Sequence, residues 1–404
     1  MRRFRTTRSI LAVALGLGGG VLLTISPTSV AAAGPGVGAA WVVSLGDSFI
    51  SGEAGRWAGN TNLNPSDTDA LGPTAYYDND TNTAETIERC HRSKAAEIHI
   101  GGGVNSANLA CSGAKVATDA SGQYFKPGVD FYSDAEGRKG QALALQEFAA
   151  THNVTMIQLS IGGNDFNFAS IIETCLLNFL TSLSVWPNYC HDDSSVSSNF
   201  TTANVNAKTA LITGAIANVK KAMANAGYKK NAYTIVVQTY PSPIPTGSEF
   251  RYSENGLTRQ GIGGCGFWNK DADWANETAL VKINNAVKGA ATASGANVRI
   301  LELASAFNGR RLCEKTVGLL EEKGLTSWTK PEAVNTTEWI APIRTVTTLV
   351  FPYYVQESIH PNYWGELALR NCVRQAYNGG AVRGGTCVLG FGLNPAGEPN
   401  MTLN

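Results

Sequence analysis

The sequence predicts an α/β fold built around a central parallel sheet. Two patterns lead there: short apolar, partly β-branched runs recur along the chain, and segments with apolar residues at helical spacing lie between them. Strands that alternate with helices imply right-handed βαβ units, with ligand sites beyond the carboxyl ends of the strands. A third observation concerns number. No repeat and no long linker divides the chain, so a single domain over residues 34–404 is expected.

The elements follow in order. Residues 1–33 read as a secretory leader rather than as fold: Arg2, Arg3, Arg5 and Arg8 precede an apolar run from Ile10 to Ile25, and Ala31, Ala32 and Ala33 supply a small-residue cleavage site. Glycines interrupt that run, which disfavours a membrane anchor. Ala39–Leu45 reads as a buried strand ended by Gly46, and the Gly/Asn/Thr-rich stretch 59–86 as a long surface loop. Asn105–Ala110 is a weaker strand candidate. A helix over Gln141–Ala150 then leads to a strand at Met156–Ile161. In Val205–Ala226, Ile212, Ile216, Val219 and Met223 recur at helical spacing before Gly227 supplies a stop. Thr234–Tyr240 and Val298–Leu303 are further strands, separated by a helix that uses Leu280, Ile283 and Val287. Tyr363–Tyr377 is a last helix. Segments 175–190 and 261–313 read as insertions.

Without the four leader arginines the chain carries 28 basic against 32 acidic residues, a net charge of −4. That balance offers no electrostatic partner for nucleic acid or an anionic membrane. No later segment is apolar for long enough to insert in a bilayer. The even count of eight cysteines behind a leader implies disulfides. Neighbour pairing is the simplest arrangement: Cys90–Cys111, Cys175–Cys190, Cys265–Cys313 and Cys372–Cys387. No cysteine or histidine spacing of the zinc type occurs, so no metal is expected. Gly261, Gly263 and Gly266 satisfy G-x-G-x-x-G by spacing alone, follow no apolar strand and enclose Cys265, so no dinucleotide is expected either. The pair Asp271/Asp273 reads as a helix start.

Chemistry gathers in four segments. Gly46-Asp47-Ser48 follows the first strand and presents a serine at the sheet rim, where an ordinary helix cap is the competing explanation. Gly162-Gly163-Asn164-Asp165 follows a later strand; the glycines permit a tight turn, and the Asn amide can donate to a developing oxyanion. Ala110-Cys111-Ser112-Gly113 offers an unobstructed Gly N–H. Ser358-Ile359-His360-Pro361 carries one of only five histidines; His91, His99, His152 and His191 read as structural. No G-x-S-x-G occurs, which argues against an α/β-hydrolase nucleophile elbow.

Together the four segments resemble the SGNH, or GDSL, hydrolases. "SLGDSFISGE" at 44–53, Gly113 in "NLACSGA", "IGGNDF" and "ESIHPNYWG" at 357–365 match the family's blocks in the family's order. The exported, cysteine-rich form is similar to the secreted actinomycete esterases, lipases and phospholipases A. The resemblance implies a three-layer α/β/α, flavodoxin-like fold, Ser48 as nucleophile and His360 as general base. It also implies an oxyanion hole from the N–H groups of Ser48 and Gly113 and the Asn164 amide, and a secreted, cofactor-free monomer acting on an ester or lipid.

The sequence departs from the family where an Asp usually precedes the His by three residues; that position is Glu357. Either the Glu357 carboxylate or the backbone carbonyl of Ser358 would then orient His360, with the carbonyl slightly preferred. If neither, Glu357 is a solvated surface group. Phe166, Phe168, Ile171, Ile172, Leu176, Leu177, Phe179, Leu180, Leu183 and Trp186, with Leu349, Val350 and Phe351, are candidates either for core or for an acyl pocket. Two other readings stay open: an acetyl or carbohydrate esterase of the same fold, and a non-catalytic, disulfide-stapled binding protein.

Overall fold

Parallel strands covered on both faces need continuous apolar runs, and the first such run forms β1, Ala40–Gly46, buried from Val42 onward. In the computed structural model residues 35–345 and 351–404 are described; the segment 1–33 expected to be a leader, with Leu349 and Val350, lies outside them. β2 is Asn105–Asn108, β3 Asn153–Ser160, β4 Thr234–Gln238 and β5 Val298–Glu302. β3 starts three residues before the expected run because Asn153 and Val154 pair with Ala40 and Trp41. β2 is polar and half-buried, as suits an edge strand held by its ladder to β1.

The sheet runs β2-β1-β3-β4-β5 and then adds β6, Gly385–Leu393, and β7, Pro399–Leu403. All neighbours are parallel except the β6–β7 hairpin. This is the three-layer, flavodoxin-like α/β arrangement implied by the resemblance, extended at one edge. The hairpin was not foreseen: its first strand, "GTCVLGFGL", carries three glycines and weak alternation.

Helices fill the outer layers. α1 is the single turn Ser48–Ser51, α2 Gln141–Ala149 and α3 Phe168–Thr181. α4 spans Thr202–Asn225, α5 Leu280–Ala293 and α6 Tyr363–Tyr377. α4 packs between α2 and α5, and its stripe of Ile212, Ile216, Val219 and Met223 is fully buried. α3 was read only as an apolar stretch beside an insertion. Its apolar residues are divided between core, cleft and solvent, so no single stripe announced it. Among the described residues no helix is long and apolar enough to cross a membrane.

The four disulfides are Cys90–Cys111, Cys175–Cys190, Cys265–Cys313 and Cys372–Cys387. The first ties the segment after Arg89 to the loop that carries Gly113. The second holds α3 against the segment that follows it, and the last fastens α6 to β6.

One expectation needs correction. The stretch 59–86 is a loop, but part of it is interior: Asn60, Ala75 and Tyr76 are buried. The Asn60 amide donates to the Ile340 carbonyl at 2.8 Å, and the Tyr76 hydroxyl donates to Glu357 at 2.6 Å. Composition alone does not show that a loop folds inward to meet a segment nearly 300 residues away.

Candidate active site

β1 and β3 end side by side, with Gly46 opposite Ser160. A Cβ at Gly46 would lie 1.8 Å from the Ser160 carbonyl oxygen, so only glycine allows the two strand ends to meet so closely. The chain then turns at Asp47, whose N–H donates to the Ser160 carbonyl at 2.9 Å. The Asp47 carboxylate caps the next turn by accepting from the Phe49 N–H at 3.2 Å. This turn holds Ser48 at the top of the sheet.

The Asp47 carboxylate also accepts from the Tyr240 hydroxyl, and that hydroxyl in turn accepts from the Gly163 N–H at 2.9 Å. Tyr240 thereby links the serine turn to the Gly-Gly-Asn turn after β3. Burial raises Asp47 to about 7, against the opposing effect of the Tyr240 hydrogen bond. Neither Asp47 nor Tyr240 was singled out as a site residue. Tyr240 lies just past the end of β4, the position where a signal for it could have been found.

His360 approaches from the other side. Its Nε2 lies 2.6 Å from Ser48 Oγ, and its Nδ1 lies 2.9 Å from the Ser358 carbonyl oxygen. A carbonyl can only accept, so Nδ1 carries the proton and Nε2 is left free to accept from the serine hydroxyl. The ring sits against Phe49, with centroids 5.1 Å apart. Ile359, between the two partners, has φ 64°. That is a strained conformation for a β-branched residue, and such strain persists only where surrounding contacts hold it. Here the Ile359 N–H donates to Ala341, and the Ala341 N–H donates to the His360 carbonyl.

Glu357 is fully buried, not a surface group. One carboxylate oxygen accepts from Trp57 Nε1 at 2.9 Å and from the Tyr76 hydroxyl at 2.6 Å; the other accepts from the Tyr354 N–H at 3.0 Å. His360 is not among these partners. Burial raises the Glu357 carboxyl above its usual range, and the charge of Glu53 adds to this. Glu357→Gln should therefore keep kcat within about threefold of wild type. Thermal unfolding should show a loss of about 1–3 kcal/mol, because one buried hydrogen-bond acceptor is replaced by a donor. A hundredfold loss of kcat with an unchanged melting profile would instead assign Glu357 to a triad.

Ser48, Gly113, Asn164 and His360 all line one cleft of about 1070 Å³. Gly113 has φ 81° and is exposed at the cleft. The Asn164 amide donates one hydrogen to the Ala114 carbonyl at 2.9 Å, which fixes its rotamer and leaves its second N–H for a ligand. Two narrow apolar recesses share Phe168, Pro243, Leu280 and Ile283; the first of them begins at Ser48.

The candidate pocket residues divide accordingly. Phe168, Ile171, Ile172 and Leu176 line these spaces. Phe166 and Phe179 are core, whereas Leu177, Leu180, Leu183, Trp186 and Phe351 are exposed. Asp271 lies in a short helix, Asn269–Trp274, as expected of a helix start, but it is buried and accepts from the backbone N–H groups of Cys190 and His191.

No family model matches this chain, and no curated protein does. Solved structures do. An extracellular lipase from Streptomyces rimosus is 19% identical with a TM-score of 0.43, over 81% of this chain and 95% of its own. Phospholipase A1 from Streptomyces albidoflavus NA297 is also 19% identical with a TM-score of 0.43, over 85% of this chain and 100% of its own. A family two carbohydrate esterase from Clostridium thermocellum is 10% identical with a TM-score of 0.36, over 84% of this chain and 63% of its own.

Proposed function

We propose that residues 34–404 form one secreted, monomeric SGNH-type hydrolase domain that cleaves carboxylic esters of lipid or acyl type through Ser48 and His360. The observation that carries this reading is the 2.6 Å contact of Ser48 Oγ with an imidazole whose far nitrogen is held by the Ser358 carbonyl. The four disulfides agree with export.

The mechanism follows from the geometry. Ser48 Oγ attacks the ester carbonyl as its proton passes to His360 Nε2. Negative charge develops on the former carbonyl oxygen, where the Ser48 and Gly113 N–H groups and the free Asn164 N–H receive it. The imidazolium then protonates the departing alcohol, and the acyl group stays on Ser48. His360 next removes a proton from water, which attacks the acyl-enzyme; as the acid is released, the imidazolium returns that proton to Ser48 Oγ. The Ser358 carbonyl keeps the ring in one tautomer and takes the place of a carboxylate.

His360 must be neutral to accept the serine proton. Burial lowers its pKa from 6.5, with the charge of Glu53 as the largest opposing influence. The acid limb of kcat/KM should therefore fall below pH 6.5, since a lowered pKa leaves the base unprotonated to lower pH. An inflection above 6.5 would contradict this placement.

Substrate class rests on the apolar wall that Phe168, Ile172 and Leu176 give the cleft beside Ser48. That wall suits a medium or long acyl chain better than an acetyl group. On purified mature protein, nitrophenyl decanoate should exceed nitrophenyl acetate in kcat/KM by roughly tenfold or more, as each buried methylene contributes about 0.8 kcal/mol. A preference for acetate would point to the acetyl or carbohydrate esterase reading instead. A phospholipid and triglyceride panel would then identify the lipid.

A further inference from the structure

Beside the proposed dyad lies a second buried polar centre that the mechanism above does not use. Glu53 follows Gly52, the left-handed residue that ends α1, and is fully buried. Its N–H donates to the Ser48 carbonyl at 3.3 Å. Its carboxylate gathers side chains from two distant segments. Oε1 lies 2.7 Å from His91 Nδ1, and Oε2 accepts from Gln356 Nε2 at 2.7 Å. The carboxylate also faces the Ser112 side chain.

Two of these partners lie in segments that carry a site residue, and the third is bridged to one of them. Ser112 precedes Gly113, and its N–H donates to the Cys90 carbonyl at 3.0 Å. His91 follows Cys90, which the disulfide joins to Cys111. Gln356 stands two residues before Ser358, whose carbonyl holds His360, and its amide also donates to the Arg89 carbonyl at 3.0 Å. Around the outside, the His91 ring stacks on Tyr76 at 4.2 Å, and Tyr76 donates to Glu357. Arg89 and His91 both have positive φ, 63° and 47°, so contacts hold this segment in a conformation it would not choose alone.

A buried ion pair is weak evidence of stability, since apolar replacements of similar volume are often neutral or stabilising. What this pair does supply is a fixed direction for each of its partners. We propose that Glu53 is a positioning residue: its buried carboxylate is the shared anchor that sets the Gly113 loop and the His360 loop against Ser48. This inference rests on the Ser48–His360 reading and deepens it.

The test uses full mature protein and a soluble short-chain nitrophenyl ester. Glu53→Gln keeps the shape and loses the charge. Gln356→Leu removes one arm but leaves the carboxylate its His91 partner, so it decides the matter if Glu53→Gln does not fold. Loss of the anchor displaces groups that must stay within a fraction of an ångström, so kcat should fall roughly ten- to a hundredfold with KM within twofold. Labelling by a fluorophosphonate should still reach full stoichiometry, but more slowly by the same factor. Three results would overturn the proposal: kcat within twofold of wild type in either folded variant, a change confined to KM, or a kcat loss matched by the fraction of protein that no longer labels. A wild-type protein that neither turns over ester nor labels at Ser48 would instead overturn the parent reading, and the anchor with it.

Discussion

Ser48→Ala should lower ester turnover by four or more orders of magnitude while leaving the melting temperature almost unchanged. The size follows from the chemistry: without Oγ there is no acyl-enzyme, and only binding and oxyanion stabilisation are left, a residue of catalysis far below the intact machinery. The structural consequence is small because, among the described residues, Oγ makes one side-chain hydrogen bond, to His360 Nε2. Its helical turn is fastened instead by the Asp47 cap and by the Ser160 carbonyl. Steady-state kinetics against a catalyst-free blank, with calorimetry on the same sample, checks both halves. A variant that keeps a tenth of the wild-type rate would remove Ser48 from the mechanism.

Asn164→Ala should cost a hundredfold or more in kcat, about 3–4 kcal/mol of transition-state stabilisation, with KM changed little. Its amide is already held by the Ala114 carbonyl, so the free N–H meets the developing oxyanion without further ordering. A donor aimed at the transition state rather than at the ground state acts on kcat. Asn164→Asp should be at least as damaging, since it places an acceptor and a negative charge where charge develops. A rise in KM at constant kcat would assign Asn164 to substrate binding alone.

How far the sequence revealed this molecule depended on the kind of signal. β1, β3 and β4 were legible because parallel strands inside a sheet must be apolar throughout. α4 and α6 were legible because each presents an amphipathic stripe with a clear stop. β6 was not, since a strand with three glycines carries little periodicity and is held by pairing and by the Cys372–Cys387 bridge, and β7 is only five residues long. α3 was ambiguous because Phe168 and Leu176 face cavities while Leu177 and Leu180 face solvent.

The site divided in the same way. Ser48, Gly113, Asn164 and His360 were named from four short blocks, and the fold brings them to one cleft. The orienting group of His360 stayed open between Glu357 and Ser358 because it depends on partners remote in sequence. Trp57 and Tyr76, some 300 and 281 residues away, engage the Glu357 carboxylate, and the Ser358 carbonyl faces Nδ1. Glu53 sat in full view within the first block, yet its role depends on His91 and Gln356, which no local pattern links to it.

In the proposed mechanism Ser48 is a nucleophile activated by His360. The most direct measurement is labelling of the mature protein with a fluorophosphonate, followed by peptide mass spectrometry. The expected result is one phosphonyl adduct per chain, on Ser48, absent in Ser48→Ala and formed at least a hundredfold more slowly in His360→Ala. An adduct on another residue, or equal labelling of the Ser48→Ala protein, would contradict it.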